Sequence, residues 1–152
     1  MRALVERVAS ASVTVDDEPA GRIDRGLLVY LGVAKGDADA DARFIAEKVR
    51  YLRIFRDEAG KMNCDVVQAG GAVLAISAFS LVADARKGRR PSFDSAAPPE
   101  AAEPLYERFC EALRASGVRV ETGRFRTMMQ VSAVNDGPIT ILLSSKPNAR
   151  DS

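Results

Sequence analysis

With 152 residues, a formal net charge of +1, and 47% hydrophobic against 28% charged residues, the chain has the composition of one globular domain. No apolar run approaches the roughly 18–20 residues that a membrane-crossing helix needs. Histidine is absent, which excludes Ser-His-Asp and Cys-His catalysis and argues against the common zinc sites.

Met1–Val8 carries Glu6 and Arg7 where a signal peptide would be continuously apolar. The expectation is a cytoplasmic protein with no membrane partner, no metal and no other cofactor. Cys64 and Cys110 are the only cysteines, and they form no C-x-x-C pair.

In chain order, residues 3–8 and 11–16 alternate as two strands separated by small residues. G-L-L-V-Y-L-G-V-A, 26–34, is continuously apolar, as a strand buried on both faces would be. Asp37 or Asp39 caps the helix expected next, in which Ile45, Val49 and Leu52 share a face. A turn-rich passage over 53–63 leads to A-V-L-A-I-S-A-F-S-L-V-A, 72–83, read as one central strand.

A second helix is expected from about Pro98 to Ser116, ended by Gly117, with Leu105, Phe109, Ala112 and Leu113 on its buried face. Pro104 either kinks it or marks its start, since an interior proline costs on the order of 3 kcal/mol. Three strands close the domain, over 118–122, 125–134 and 139–144, and residues 145–152 form a polar tail. The fold expected is α/β: a mixed β-β-(βα)2-β-β-β arrangement in three layers, α/β/β, as one domain over 1–144.

Chemistry concentrates in a few places. In an extended strand Ser77, Phe79 and Leu81 point one way while Ala78 and Ser80 point the other. The two hydroxyls either bond to nearby backbone or act on a substrate, and as a nucleophile Ser80 would need Lys61, Lys87 or an acid as base. Arg86, Lys87, Arg89 and Arg90 form either a solvated loop or a phosphate grip, with Phe93 as a stacking surface. Phe125, Met128 and Met129, expected in one strand, either fill the core or hold a nucleobase. V-N-D-G-P-I-T, 134–140, reads as a hairpin turn whose Pro is oddly placed at the start of the next strand.

Several segments taken together resemble one known family. They are R-V-A-S-A-S-V-T-V-D, G-L-L-V-Y-L-G-V-A-K-G-D, L-R-I-F-R-D-E-A-G-K-M-N, A-D-A-R-K-G-R-R-P-S-F, A-A-P-P-E, V-E-T-G-R-F and V-N-D-G-P-I-T. From Met1 to about Ser144 the chain resembles the D-aminoacyl-tRNA deacylases. The resemblance implies a homodimer with helices on one face of a β-layered fold. It also implies hydrolysis of the ester that links a D-amino acid, or glycine mischarged onto tRNA(Ala), to the terminal adenosine of tRNA.

Two family motifs map onto this chain. Ser-Gln-Phe-Thr-Leu corresponds to Ser77-Ala78-Phe79-Ser80-Leu81, with Ala78 and Ser80 as departures, and Ala78 lacks the amide that would help orient substrate. Asn-x-Gly-Pro-Val-Thr corresponds to Asn135-Asp136-Gly137-Pro138-Ile139-Thr140. The resemblance implies a cis Gly137-Pro138 bond that reaches into the partner subunit's site and excludes L-amino acids, with Arg7 helping to fix it.

It further implies attack by water assisted by the RNA 2′-hydroxyl, with the oxyanion held by backbone N–H groups near Phe79 and Ser80. Phe125, Met129 and the Arg86–Arg90 cations would then contact RNA. The alternative, motivated by Ala78 and the basic run, is a catalytically weakened tRNA- or DNA-binding module of the same fold.

Overall fold

The computed structural model describes residues 1–147. Its first strand, β1 (Arg2–Val15), is a single strand where the alternation suggested two. The inward phase changes near the middle: Ala3 and Val5 face one core, whereas Val8, Ala11 and Val13 face another. The apparent break in the sequence is therefore a change of face within one strand.

β2 (Glu18–Ile23) and β3 (Gly26–Gly32) return antiparallel along one edge of β1 after a turn at Asp16–Asp17. α1 (Asp39–Tyr51) follows, then a small hairpin of β4 (Phe55–Arg56) and β5 (Met62–Cys64). Asp37 and Asp39 do not cap α1. Ala38 is its N-cap, and its N–H donates to the Asp41 carboxylate at 2.8 Å. Asp37 instead accepts the Ala34 N–H at 2.8 Å, bracing the chain before the helix.

β6 (Ala72–Ser77) runs parallel to β3, and after α2 (Pro99–Ala115), β7 (Val120–Thr122) runs parallel to β6. α2 passes through Pro104, whose missing N–H forgoes the bond to Glu100, without starting there. β8 (Gln130–Ser144) pairs antiparallel with the other edge of β1.

β3 and β6 are buried on both faces, as their unbroken apolar runs require. Leu27, Val29, Leu31, Val73 and Ala75 face the helices, where they meet Ile45, Val49, Phe109 and Leu113. Leu28, Leu74 and Ile76 face the opposite way, against Val8, Val13 and Ile23. β2 curls until Gly21 lies against β7, where a Cβ would stand 2.6 Å from the Thr122 carbonyl oxygen. The sheet thus nearly closes into a barrel, with both helices on its outer side. The three-layer α/β/β expectation matches this single mixed domain.

No helix among the described residues is long and apolar enough to cross a membrane. At the end of the domain Ser145 and Lys146 are anchored, to the Met1 ammonium at 2.9 Å and to Asp37 at 3.0 Å respectively. The rest of the expected tail, 148–152, lies outside the described residues.

Two expected strands are shorter than the sequence suggested, and both truncations shape the site. The 72–83 strand stops at Ser77, because its neighbour β3 ends one residue past Leu31, the partner of Ser77. The Ala78 N–H still donates to the Leu31 carbonyl at 2.9 Å, and the chain then winds into a 3-10 turn, Phe79–Val82. Gly32 admits that turn: a Cβ there would sit 3.0 Å from Leu81 Cβ and 3.1 Å from the Ala78 oxygen.

The 125–134 strand likewise begins only at Gln130. Gly123–Met129 is a loop with Arg126 in the left-handed region at φ 58°. Gly123 has no side chain to block Met129, since a Cβ would lie 2.6 Å from its Sδ.

Candidate active site

The 3-10 turn and the Gly123–Met129 loop face each other across a cleft of about 630 Å³. Ser77, Ala78, Phe79, Ser80, Phe125, Met128 and Met129 all line it, so seven of the residues singled out in the sequence converge. The alternation imagined for a strand does not apply. Ser77, Ala78, Phe79 and Ser80 share one wall because the backbone turns there.

Neither the Ser77 nor the Ser80 hydroxyl has a hydrogen-bond partner among the described residues, so backbone bonding does not account for them. The N–H groups of Phe79 and Ser80 likewise have no acceptor among the described residues. They open a 3-10 turn with no side-chain cap, which leaves the first donors of any helix unspent.

The rest of the cleft is mostly apolar. Phe79 is 60% exposed and stacks edge-on against Phe93, with ring centroids 4.9 Å apart. Phe125 and Met129 each pack against a core cluster and also line the cleft. Met128 is 88% exposed at the rim.

The sequence reading missed Tyr30, which lines the cleft from within an apolar strand. Burial, and secondarily the nearby Glu6 charge, push its phenol above the usual range. That lone tyrosine in G-L-L-V-Y-L-G was the available signal. Arg126 was also missed, and it is the one charged side chain among the cleft-lining residues. No carboxylate, amine or thiol lines the cleft, so neither Lys61 nor Lys87 stands there to activate Ser80. Among the described residues no cluster of three or more Cys, Asp or Glu side chains could hold a metal ion.

Arg7, Asn135, Gly137 and Pro138 meet elsewhere, outside the lining of this cleft. V-N-D-G-P-I-T is not a hairpin turn. β8 continues through it, with Glu6 opposite Thr140 and Val8 opposite Asn135, so residues 136–139 bulge out against the single residue Arg7. The Gly137-Pro138 peptide is cis, and Gly137 has φ 135°.

Two side chains staple the bulge. Asn135 spans its base: its Nδ2 donates to Thr140 Oγ1 at 2.8 Å, and its Oδ1 accepts the Ile139 N–H at 3.0 Å. Arg7 is only 4% exposed, and it donates from Nε to the Asp136 carbonyl at 3.1 Å and from Nη1 to the Ile54 carbonyl at 2.7 Å. Its Nε also lies 3.3 Å from the Asp136 carboxylate. The two residues at the tip, Gly137 and Pro138, are exposed.

The basic loop divides. Arg86 is bound to Asp84 by a fork of charge-assisted bonds, while Lys87, Arg89 and Arg90 are exposed. None of the four lines the cleft.

A family model described as D-Tyr-tRNA(Tyr) deacylase matches residues 4–144. The D-aminoacyl-tRNA deacylase of Anaeromyxobacter dehalogenans is 60% identical over 146 residues, covering 96% of this chain and 98% of that one. That of Koribacter versatilis is 59% identical with the same coverage. Among solved structures, the c-Myc DNA Unwinding Element Binding Protein superposes with a TM-score of 0.91 at 39% identity, covering 97% of this chain and 100% of that one. A probable eukaryotic D-amino acid tRNA deacylase superposes with a TM-score of 0.80 at 19% identity over 93% of this chain and 97% of that one, a likeness of fold.

Proposed function

The chain belongs to the D-Tyr-tRNA(Tyr) deacylase family, and we propose how its cleft performs the reaction. It hydrolyses the ester bond of D-aminoacyl-tRNA and releases the free amino acid and the tRNA. In our reading the ester carbonyl points at the unspent N–H groups of Phe79 and Ser80. These donors sit in an apolar cleft, where they stabilise the charge that develops on the carbonyl oxygen as water attacks. That donor pair is the observation that carries the mechanism.

The attacking water is assisted by the substrate's own ribose 2′-hydroxyl. The cleft offers no protein base, and the aminoacyl ester is already labile, so orientation supplies much of what is needed. Ser80 is a wall of the pocket, not a nucleophile. Ser77 and Ala78 complete that wall, while Phe125 and Met129 present apolar surface to the terminal adenine.

Handedness is read by a second copy of the chain. The Gly137-Pro138 bulge is exposed, stapled by Arg7 and Asn135, and outside the lining of its own cleft, which fits insertion into the cleft of a homodimeric partner. There the backbone of Gly137 would occupy the space that an L side chain needs. D-amino acids present only hydrogen at that point, and so does glycine, which makes glycyl-tRNA(Ala) a second substrate. A cytoplasmic location follows from the tRNA substrate.

The rival reading, a weakened nucleic-acid-binding module, finds support in the likeness to the c-Myc DNA Unwinding Element Binding Protein. It has no use for a donor pair inside an apolar cleft. The deciding assay compares release of tyrosine from D-tyrosyl-tRNA and L-tyrosyl-tRNA by the purified protein. Hydrolysis of the D ester with the L ester spared is expected. Equal rates would remove the chiral reading, and binding without hydrolysis would favour the module.

A further inference from the structure

We infer that a second, cationic groove beside the cleft holds the sugar-phosphate chain leading to the terminal adenosine. The inference rests on reading the cleft as an aminoacyl-tRNA site, and it adds a polynucleotide grip that the cleft itself lacks. The groove has a volume of about 670 Å³, and Arg2, Lys35, Asp37, Asp84, Arg86 and Lys146 supply its charged lining.

The wall between the two cavities is a single β-bridge, Ala34 to Ala96. Around it the Lys35 N–H donates to the Ser95 carbonyl at 2.9 Å, and the Ala97 N–H to the Val33 carbonyl at 3.0 Å. Val33, Ala96 and Ala97 line the cleft, whereas Ala34, Lys35 and Ser95 line the groove. The 3-10 turn straddles the same divide, with Ser80 on the cleft side and Val82 on the groove side. A chain leaving the cleft over this wall enters the groove at once.

The charge is arranged for an anion. Both acids are engaged within the protein: the Asp37 side chain is 1% exposed and receives the Ala34 N–H and Lys146 Nζ, and Asp84 receives the Arg86 guanidinium. Lys146 and Arg86 nonetheless remain largely exposed to the groove. Arg2 and Lys35 have no ion-pair partner among the described residues. The exposed Lys87, Arg89 and Arg90 continue the basic surface beyond Arg86. By contrast Arg126 is the one cation on the cleft. Positively charged grooves that track a single strand are how proteins hold it without reading its sequence.

The test compares wild type with the double variant Arg2→Gln/Lys35→Gln on two esters: D-tyrosyl-tRNA, and the D-tyrosyl ester of adenosine alone. With D-tyrosyl-tRNA, kcat/KM should fall about tenfold at low salt, and the slope of its logarithm against log salt should flatten by about 1.4, at about 0.7 per lost phosphate contact. Hydrolysis of the adenosine ester, which has no chain to grip, should be unchanged. Uncharged tRNA should also bind the variant about tenfold more weakly in a fluorescence titration.

Equal losses on both esters would overturn the proposal by reducing Arg2 and Lys35 to supports of the fold, as would no loss on D-tyrosyl-tRNA. Competition by inorganic phosphate alone, as strong as by uncharged tRNA at equal phosphate, would assign the groove to free anions and overturn it too. Failure of the wild type on both esters would strike the ester-hydrolase reading itself, a result distinct from any of these.

Discussion

The cleft and the Gly137-Pro138 bulge are built on opposite principles. The cleft presents two unspent backbone N–H groups, those of Phe79 and Ser80, and the letters Ala78 and Ser80 cost it neither donor. The bulge is held by side chains, Arg7 across its middle and Asn135 across its base. A backbone site is tolerant of changes in residue letter and sensitive to chain path. A side-chain staple is the reverse.

The sharpest attack on this contrast is Arg7→Met, which keeps much of the stem and removes the guanidinium. It leaves the buried Ile54 carbonyl without its donor, at a cost of about 1–3 kcal/mol, and releases the Asp136 carbonyl to solvent. The bulge should lose its fixed position, and kcat/KM on D-aminoacyl-tRNA should fall by about a hundredfold or more, the scale of a misplaced group in a catalytic constellation. Thermal denaturation alongside the assay separates the two effects. Full activity in a destabilised protein would mean that the bulge is scaffold only.

Gly137→Ala comes next. A Cβ there would stand 2.7 Å from Ile139 Cγ1 and 2.9 Å from its backbone nitrogen, in a backbone region at φ 135° that L residues rarely adopt. The strain is about 1–3 kcal/mol, and under the proposed insertion into a partner's cleft the methyl would narrow the space left for substrate. Activity on glycyl-tRNA and D-tyrosyl-tRNA should drop by about tenfold to a hundredfold, with a smaller change in melting temperature than Arg7→Met causes. Unaltered rates would show that the close approach is unused, and would break the contrast at its second half.

The two regions also differ in how far they can be read from the letters. The apolar runs placed β3, β6 and both helices, because burial on two faces or on one helical stripe leaves a periodicity that tertiary contacts rarely mask. The wall of the cleft was harder. I-S-A-F-S-L continues the strand pattern past Ser77, and only the end of the neighbouring β3 decides that the chain turns there. The same holds for F-R-T-M-M, apolar enough for a strand, yet left as a loop because pairing with β1 starts at Gln130. At 134–140 the turn residues were legible but their use was not. Four residues opposing Arg7 make a bulge, and that count exists only in the register of two distant strands. Two family motifs supplied the residues of 77–81 and 135–140, but Tyr30, although inside a segment that carries the resemblance, and Arg126 emerged only from the cleft's lining.

The smallest expected effect is the most diagnostic for the cleft. Ser80→Ala removes a hydroxyl that has no partner among the described residues, while the Ser80 N–H remains. A nucleophile's loss would cost several powers of ten, on the scale seen when a catalytic serine is removed. A wall residue's loss should cost less than about threefold in kcat, within the few tenths to one kcal/mol that a single exposed hydroxyl is worth. The pH dependence should agree. No carboxylate, amine or thiol lines the cleft, and Tyr30 is pushed above its ordinary range, so its phenol stays neutral through the physiological window. Between about pH 6 and 8, where a histidine base would titrate, wild type and Ser80→Ala should therefore give parallel profiles with no inflection from a protein group. A large loss in Ser80→Ala, together with an inflection in the wild-type profile in that window, would give the serine a chemical role. It would also place a base in reach of it, and the division between backbone chemistry in the cleft and side-chain support in the bulge would then fail.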